Sequence, residues 1–159
     1  FEREPDLIIH ATNFRPQDIR RAADEDVAVV LCPRSNWLLG VTDSAKKPPV
    51  RELLDAGCRV YLGTDNVMFV SPDMAAECAF LMTVYKTTPE EALSMAFGGF
   101  SLAGTSSVIE EGMPANLCVM DDAGLLSLSR KPLTTALTRL GRGYVCQTVS
   151  NGEIIYSEK

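Results

Sequence analysis

The chain contains one histidine, His10, and it closes an apolar run, Leu7-Ile8-Ile9-His10-Ala11-Thr12-Asn13. Well downstream, a second apolar run, Val60-Tyr61-Leu62-Gly63-Thr64-Asp65-Asn66, ends on a carboxylate. Imidazole and carboxylate are side chains that hold metal ions, orient water and move protons near neutral pH. Each ends a segment patterned like a short buried strand. The C-terminal ends of parallel strands are where α/β folds present such groups. One histidine falls short of the roughly three protein ligands that a catalytic transition-metal site uses.

Both positions keep a second meaning when read from the residues alone. A histidine in an apolar strand also fits a hydrogen-bonded structural role. Thr64-Asp65-Asn66 also fits a turn or a helix cap. Arg34, Ser35, Asn36 and Trp37 follow a third apolar run, Val27–Cys32, and would share the same face. Arg34 can clasp an anionic group with its planar fork or brace its own loop. Trp37 can stack on a substrate or anchor the loop. The apolar Asn66–Val70 stretch suits a specificity loop, and Asp73 suits a helix start. The five cysteines contain no C-x-x-C spacing. This gives no support to a zinc knuckle or thioredoxin-like site and suggests reduced, buried thiols. Cys32, at a strand end, is the one to test for reactivity.

The elements that must position these residues alternate between strand and helix. Leu7–Ala11, Val27–Cys32 and Arg59–Gly63 are predicted strands of a parallel sheet covered on both faces. Pro16 and Asp18 open a helix with Ile19, Ala22 and Ala23 inside. Arg34–Lys47 reads as a loop. Pro48-Pro49 opens a helix with Val50, Leu53 and Leu54 on one face and Gly57 at its end. Ser71-Pro72-Asp73 reads as a helix start with a capping hydroxyl, followed by a stripe of Met74, Cys78, Leu81, Met82 and Tyr85. Thr88-Pro89-Glu90-Glu91 is a capping box for a helix ending near Phe97. The texture then turns to antiparallel β: Ala115–Met120, and Tyr144–Val149 with Glu153–Tyr156 about an Asn151-Gly152 turn. The boundary is placed so that residues 1–107 form one segment and 108–159 another.

At 159 residues and 46 % hydrophobic content the chain supports a real core and excludes disorder. A net charge of −6 argues against nucleic acid as a partner. No apolar run suits a membrane span and no secretory leader pattern opens the chain, so a cytoplasmic setting is expected. The chain begins at Phe1 rather than Met, as a processed product or a piece of a longer polypeptide would. A three-stranded parallel sheet would leave two open edges, calling for further strands or a partner chain.

Six segments in order carry a resemblance: Ile9-His10-Ala11-Thr12, Leu31-Cys32-Pro33-Arg34-Ser35-Asn36, Pro49–Gly57, Leu62-Gly63-Thr64-Asp65-Asn66, Ser71-Pro72-Asp73-Met74 and Glu111–Asp121. Together they resemble the C-terminal half of the amidohydrolase superfamily, in particular its chlorohydrolase and aminohydrolase (deaminase) group. The resemblance implies barrel strands six to eight of a (β/α)₈ fold, then the returning strands of a small β-sandwich. It implies a divalent metal, zinc ahead of iron or manganese, held by a His-x-His pair on strand one, a histidine on strand five and an aspartate on strand eight. Asp65 matches that aspartate, and His10 matches the strand-six histidine that contacts water or substrate. The remaining ligands and the strand-five acid have no match here, so the isolated chain is expected to be inactive. The implied reaction is hydrolytic deamination, or related C–N cleavage, of a small ring substrate. The alternative is a catalytically incomplete interaction module, or one subunit of a split barrel.

Overall fold

The structure, a computed structural model, describes residues 5–105 and 107–158. Three short strands, β1 (Leu7–Ile9), β2 (Ala28–Leu31) and β3 (Val60–Leu62), form a parallel sheet in chain order. Leu7 pairs with Ala28, Ile9 with Val30, Val29 with Val60, and Leu31 with Leu62. The β2 run Ala-Val-Val-Leu has no polar side chain, as suits a strand with both faces covered. β1 and β3 are the outer strands, and Leu7 and Ile9 of β1 are exposed.

Helices α1 (Pro16–Asp24) and α3 (Val50–Asp55) connect the strands. α1 starts where Pro16 supplies a ready-made φ and the Asp18 carboxylate accepts the Arg15 backbone N–H at 2.8 Å. Its Ile19 and Ala22 are buried. α3 buries Val50 and Leu53 and stops at Gly57, whose φ of +77° lets the chain turn back into β3.

α4 (Met74–Phe80) runs into a π-helical turn, Leu81–Tyr85, and ends at Lys86 in the left-handed region. The expected stripe is present: Cys78, Leu81 and Tyr85 are buried, with Met74 and Met82 packed on the core. α5 (Pro89–Gly98) opens on the expected capping box, in which Thr88 and Glu91 exchange hydrogen bonds of 3.1 and 2.9 Å. α5 lies against β3. Gly98 permits this approach, because a Cβ there would stand 2.7 Å from the Tyr61 ring.

Three expectations are corrected. Residues 33–38, expected as part of a loop, form a short helix, α2 (Pro33–Leu38). Tertiary burial of Ser35 and Asn36 overrides their weak helix propensity. The cap of α4 is Asp73, whose carboxylate accepts the Ala76 N–H at 3.2 Å, and not the Ser71 hydroxyl. The tail is not purely β. Between β4 (Leu117–Met120) and β5 (Val145–Ser150) lies α6 (Pro132–Arg139), which packs on α4 and α5. β4, β5 and β6 (Glu153–Ser157) form the expected antiparallel sheet. The β5–β6 turn has φ of +49° at Asn151 and +84° at Gly152, as a type I′ turn requires. Among the described residues no helix is long and apolar enough to cross a membrane.

Candidate functional site

The site is built where the three parallel strands end. The His10 N–H donates to the Val30 carbonyl at 2.8 Å, and the Gly63 N–H to the Leu31 carbonyl at 2.9 Å. These bonds continue the sheet ladder past β1 and β3, so His10, Cys32–Asn36 and Asp65 leave at one end. The backbone is unusual at that end. His10, Ala11 and Asp65 have φ of +75°, +46° and +63°. A non-glycine residue held there costs on the order of 1–3 kcal/mol, and such residues cluster at functional sites.

Asp65 is held by a neighbour. The Ser35 hydroxyl donates to Asp65 Oδ2 at 2.6 Å, and Ser35 is itself completely buried. α2 places Ser35 there, because a helix starting at Pro33 turns the residue after Arg34 toward the end of β3. Asn36 is also buried, and its carbonyl accepts the N–H groups of Val41 and Thr42. Its Nδ2 and the Nδ1 of His10 are buried with no hydrogen-bond partner among the described residues. An unpaired buried polar atom is costly and marks a place where a ligand or water belongs.

The other expected residues divide. Trp37 stands edge-on to Phe80, with ring centroids 5.8 Å apart, and is partly exposed. The Arg34 guanidinium lies against Glu77 and the carbonyls of Ser71 and Asp73. In the Asn66–Val70 stretch, Val67, Met68 and Phe69 are exposed and Val70 is buried. Asp73 caps α4 and also accepts the Arg142 N–H through Oδ2. Cys32 sits beside Asp65. Its thiol is pushed up to about 11, first by burial and then by the charges of Asp65 and Glu77. Burial and these charges favour the protonated thiol, which is a poor nucleophile.

Glu77 was not among the expected residues. It is completely buried, and burial raises its carboxyl to about 7 against the pull of Arg34. The signal was present in the spacing: Met74, Glu77, Cys78 and Leu81 fall at i, i+3, i+4 and i+7 on one helix face.

Among the described residues no group of three or more His, Cys, Asp or Glu side chains is placed to hold a metal ion. Asp65 has the chemistry of a ligand, but one carboxylate is not a site. The donors of the described residues alone do not fit a bound metal.

Residues 6–155 match the family model described as the amidohydrolase family. This chain belongs to the amidohydrolase family. A provisionally named aminohydrolase of Methanothermobacter thermautotrophicus is 33 % identical over 94 % of this amidohydrolase chain and 38 % of its own length. The 5-methylthioadenosine/S-adenosylhomocysteine deaminase of Natronomonas pharaonis is 30 % identical over 98 % of this chain and 38 % of its own. The crystal structure of a zinc-bound adenosine deaminase from Xanthomonas campestris superposes with a TM-score of 0.83 at 23 % identity. That likeness covers 95 % of this chain and 37 % of the deaminase, and at this identity it speaks for the fold. The amidohydrolase chain thus spans less than two-fifths of the length of the proteins it matches.

Proposed function

We propose that this chain is the C-terminal portion of a cytoplasmic amidohydrolase that removes ammonia hydrolytically from an aminated ring, or cleaves a related C–N bond. In this reading it supplies strands six to eight of a (β/α)₈ barrel and the returning strands of the small domain. The observation that carries it is the pairing at one sheet end of a Ser35-held Asp65 with His10, both on a left-handed backbone. The deaminase names of the relatives and the zinc in the adenosine deaminase structure support the reaction class.

Asp65 would be one ligand of a divalent metal, zinc ahead of iron or manganese, with the other ligands supplied from outside this chain. A divalent metal at such a site provides acidity, lowering the pKa of a bound water toward ~7. Asp65 keeps Oδ2 on the Ser35 hydroxyl, which leaves Oδ1 to accept a proton. His10 presents a buried ring nitrogen with no protein partner, suited to orienting water or the substrate atom under attack. Trp37 and the exposed apolar loop Val67–Phe69 would border the pocket against the ring, and Asn36 would offer it an amide.

A second reading is an interaction module or split-barrel subunit without catalysis of its own. The exposed outer edge of β1 and the incomplete donor set favour it. One experiment separates the two. Metal content and ammonia release are measured on the 159-residue chain and on the complete polypeptide that carries it. The chain alone should bind no stoichiometric metal and release no ammonia, and the complete protein should do both. Asp65→Ala should abolish turnover and lower metal occupancy. His10→Ala should cut the rate and leave most metal bound. A complete protein that holds no metal and releases no ammonia refutes the enzymatic reading, and turnover that survives Asp65→Ala refutes the role given to Asp65.

A further inference from the structure

The arginine next to Ser35 is anchored inward. The Arg34 backbone N–H donates to Glu77 Oε2 at 3.3 Å, and Arg34 Nη1 meets Glu77 Oε1 at 3.4 Å. The same Nη1 reaches the carbonyls of Ser71 at 3.4 Å and Asp73 at 3.5 Å. Arg34 therefore ties together the start of α2, the chain leaving β3 and the first turn of α4. Ser35, the next residue, delivers its hydroxyl to Asp65 at 2.6 Å.

A carboxylate at the Glu77 position is not explained by stability. Its neighbours on the helix face are Met74, Cys78 and Leu81, and a well-packed apolar residue would serve the core at least as well. A buried ion pair is poor at stabilising a fold, and in some proteins it is retained because it specifies one arrangement. Here the arrangement specified is that of the segment bearing Ser35. Asp65, on a left-handed backbone, gains no support from regular secondary structure and depends on such an outside contact.

We infer that Glu77 and Arg34 are a positioning pair: they lock the start of α2 onto α4, which holds Ser35 on Asp65 and sets the direction of the Asp65 carboxylate. The consequence for catalysis rests on the role proposed above for Asp65, and the positioning itself does not. Neither Glu77 nor Arg34 needs to touch substrate for this. They act through Ser35.

The test uses the complete protein with Glu77→Gln, Arg34→Lys, Ser35→Ala and the Glu77→Gln/Ser35→Ala double variant. Glu77→Gln keeps the shape and turns an amide NH₂ toward the guanidinium or the Arg34 N–H. Arg34→Lys keeps the charge on a shorter side chain, whose ammonium falls short of the place where Nη1 meets Glu77 and the two carbonyls. If either fails to fold, the other carries the test. Each single variant should lower kcat by roughly 10–100-fold with KM within about threefold, as a small misplacement near the chemistry does. The double variant should be no slower than Ser35→Ala, because both changes act along one chain of contacts. Multiplying effects would overturn the pair's role through Ser35. A crystal structure of the Glu77→Gln or Arg34→Lys protein gives a readout independent of activity. Ser35 Oγ should leave hydrogen-bonding range of Asp65. A contact retained at 2.6 Å overturns the inference whether or not Asp65 is catalytic. Asp65→Ala, run alongside, reports separately on the functional reading.

Discussion

A carboxyl group buried in a helix face carries its own pH signature. Burial raises the Glu77 carboxyl to about 7 from 4.5, its ordinary value; the charge of Asp73 adds to the rise, and Arg34 opposes it. The folded state thus holds this proton more tightly than the unfolded chain. The stability it contributes is complete below pH 4.5 and is lost as pH rises through about 7. Thermal denaturation of the chain and of Glu77→Gln between pH 4.5 and about pH 7, the span between the two values, isolates the effect. The melting temperature of the chain should fall relative to Glu77→Gln over that range. Parallel curves would show that Glu77 does not titrate there. At this scale the sequence marked His10 and Asp65 as candidates, since each ends an apolar run. It did not show Glu77 as readily, because a lone acid beside cysteine and alanine looks like a solvated helix position. Only its i+3 spacing from Met74 reveals the buried face. The direction of Arg34 depends on α4, an element distant in sequence, so both of its roles stayed open.

Among the elements, those with strong local chemistry were legible before the structure. The capping box at Thr88 and Glu91 and the Asn151-Gly152 turn appear as read. Thr88→Ala removes the acceptor for the Glu91 N–H and should cost about 1 kcal/mol, read as a lower denaturation midpoint. No change would mean that solvent replaces the cap without loss. Gly152→Val probes the hairpin. No side chain or backbone atom lies within 4 Å of a Cβ built at Gly152, so its cost is conformational rather than steric. Valine at φ of +84° is strained whatever the space, and the melting temperature should fall by several degrees. An unchanged value would show that the turn relaxes to another type. α2 and α6 were less legible. Ser35 and Asn36 are turn formers by preference; Asp65 takes up the Ser35 hydroxyl, and the Asn36 backbone carbonyl accepts the Val41 and Thr42 N–H groups as the side chain is buried. α6 owes its place to packing on α4 and α5, which a local pattern does not encode. The Ser71 and Asp73 caps compete at the same helix start, and the choice between them rests on geometry.

The whole molecule leaves apolar surface that the described residues do not cover. β1 is an outer parallel strand with Leu7 and Ile9 exposed, and among the described residues no strand pairs with its free side. At the end of the sheet that carries the site, Val67, Met68 and Phe69 are exposed; β6 adds Ile154, Ile155 and Tyr156. An open edge beside apolar side chains is a template for pairing with another chain. The 159-residue chain in isolation should therefore associate as its concentration rises, and sedimentation velocity should show the shift to larger species. Ile9→Lys should reduce that association, because a charge on an edge strand blocks strand addition while leaving the buried face of the sheet intact. If the chain is part of a larger barrel, as proposed above, a polypeptide that carries the further strands should abolish the association and give one species. A chain that stays monomeric at every concentration, with or without Ile9→Lys, would show that its edges are already protected, and would remove the argument for a partner on this side of the sheet.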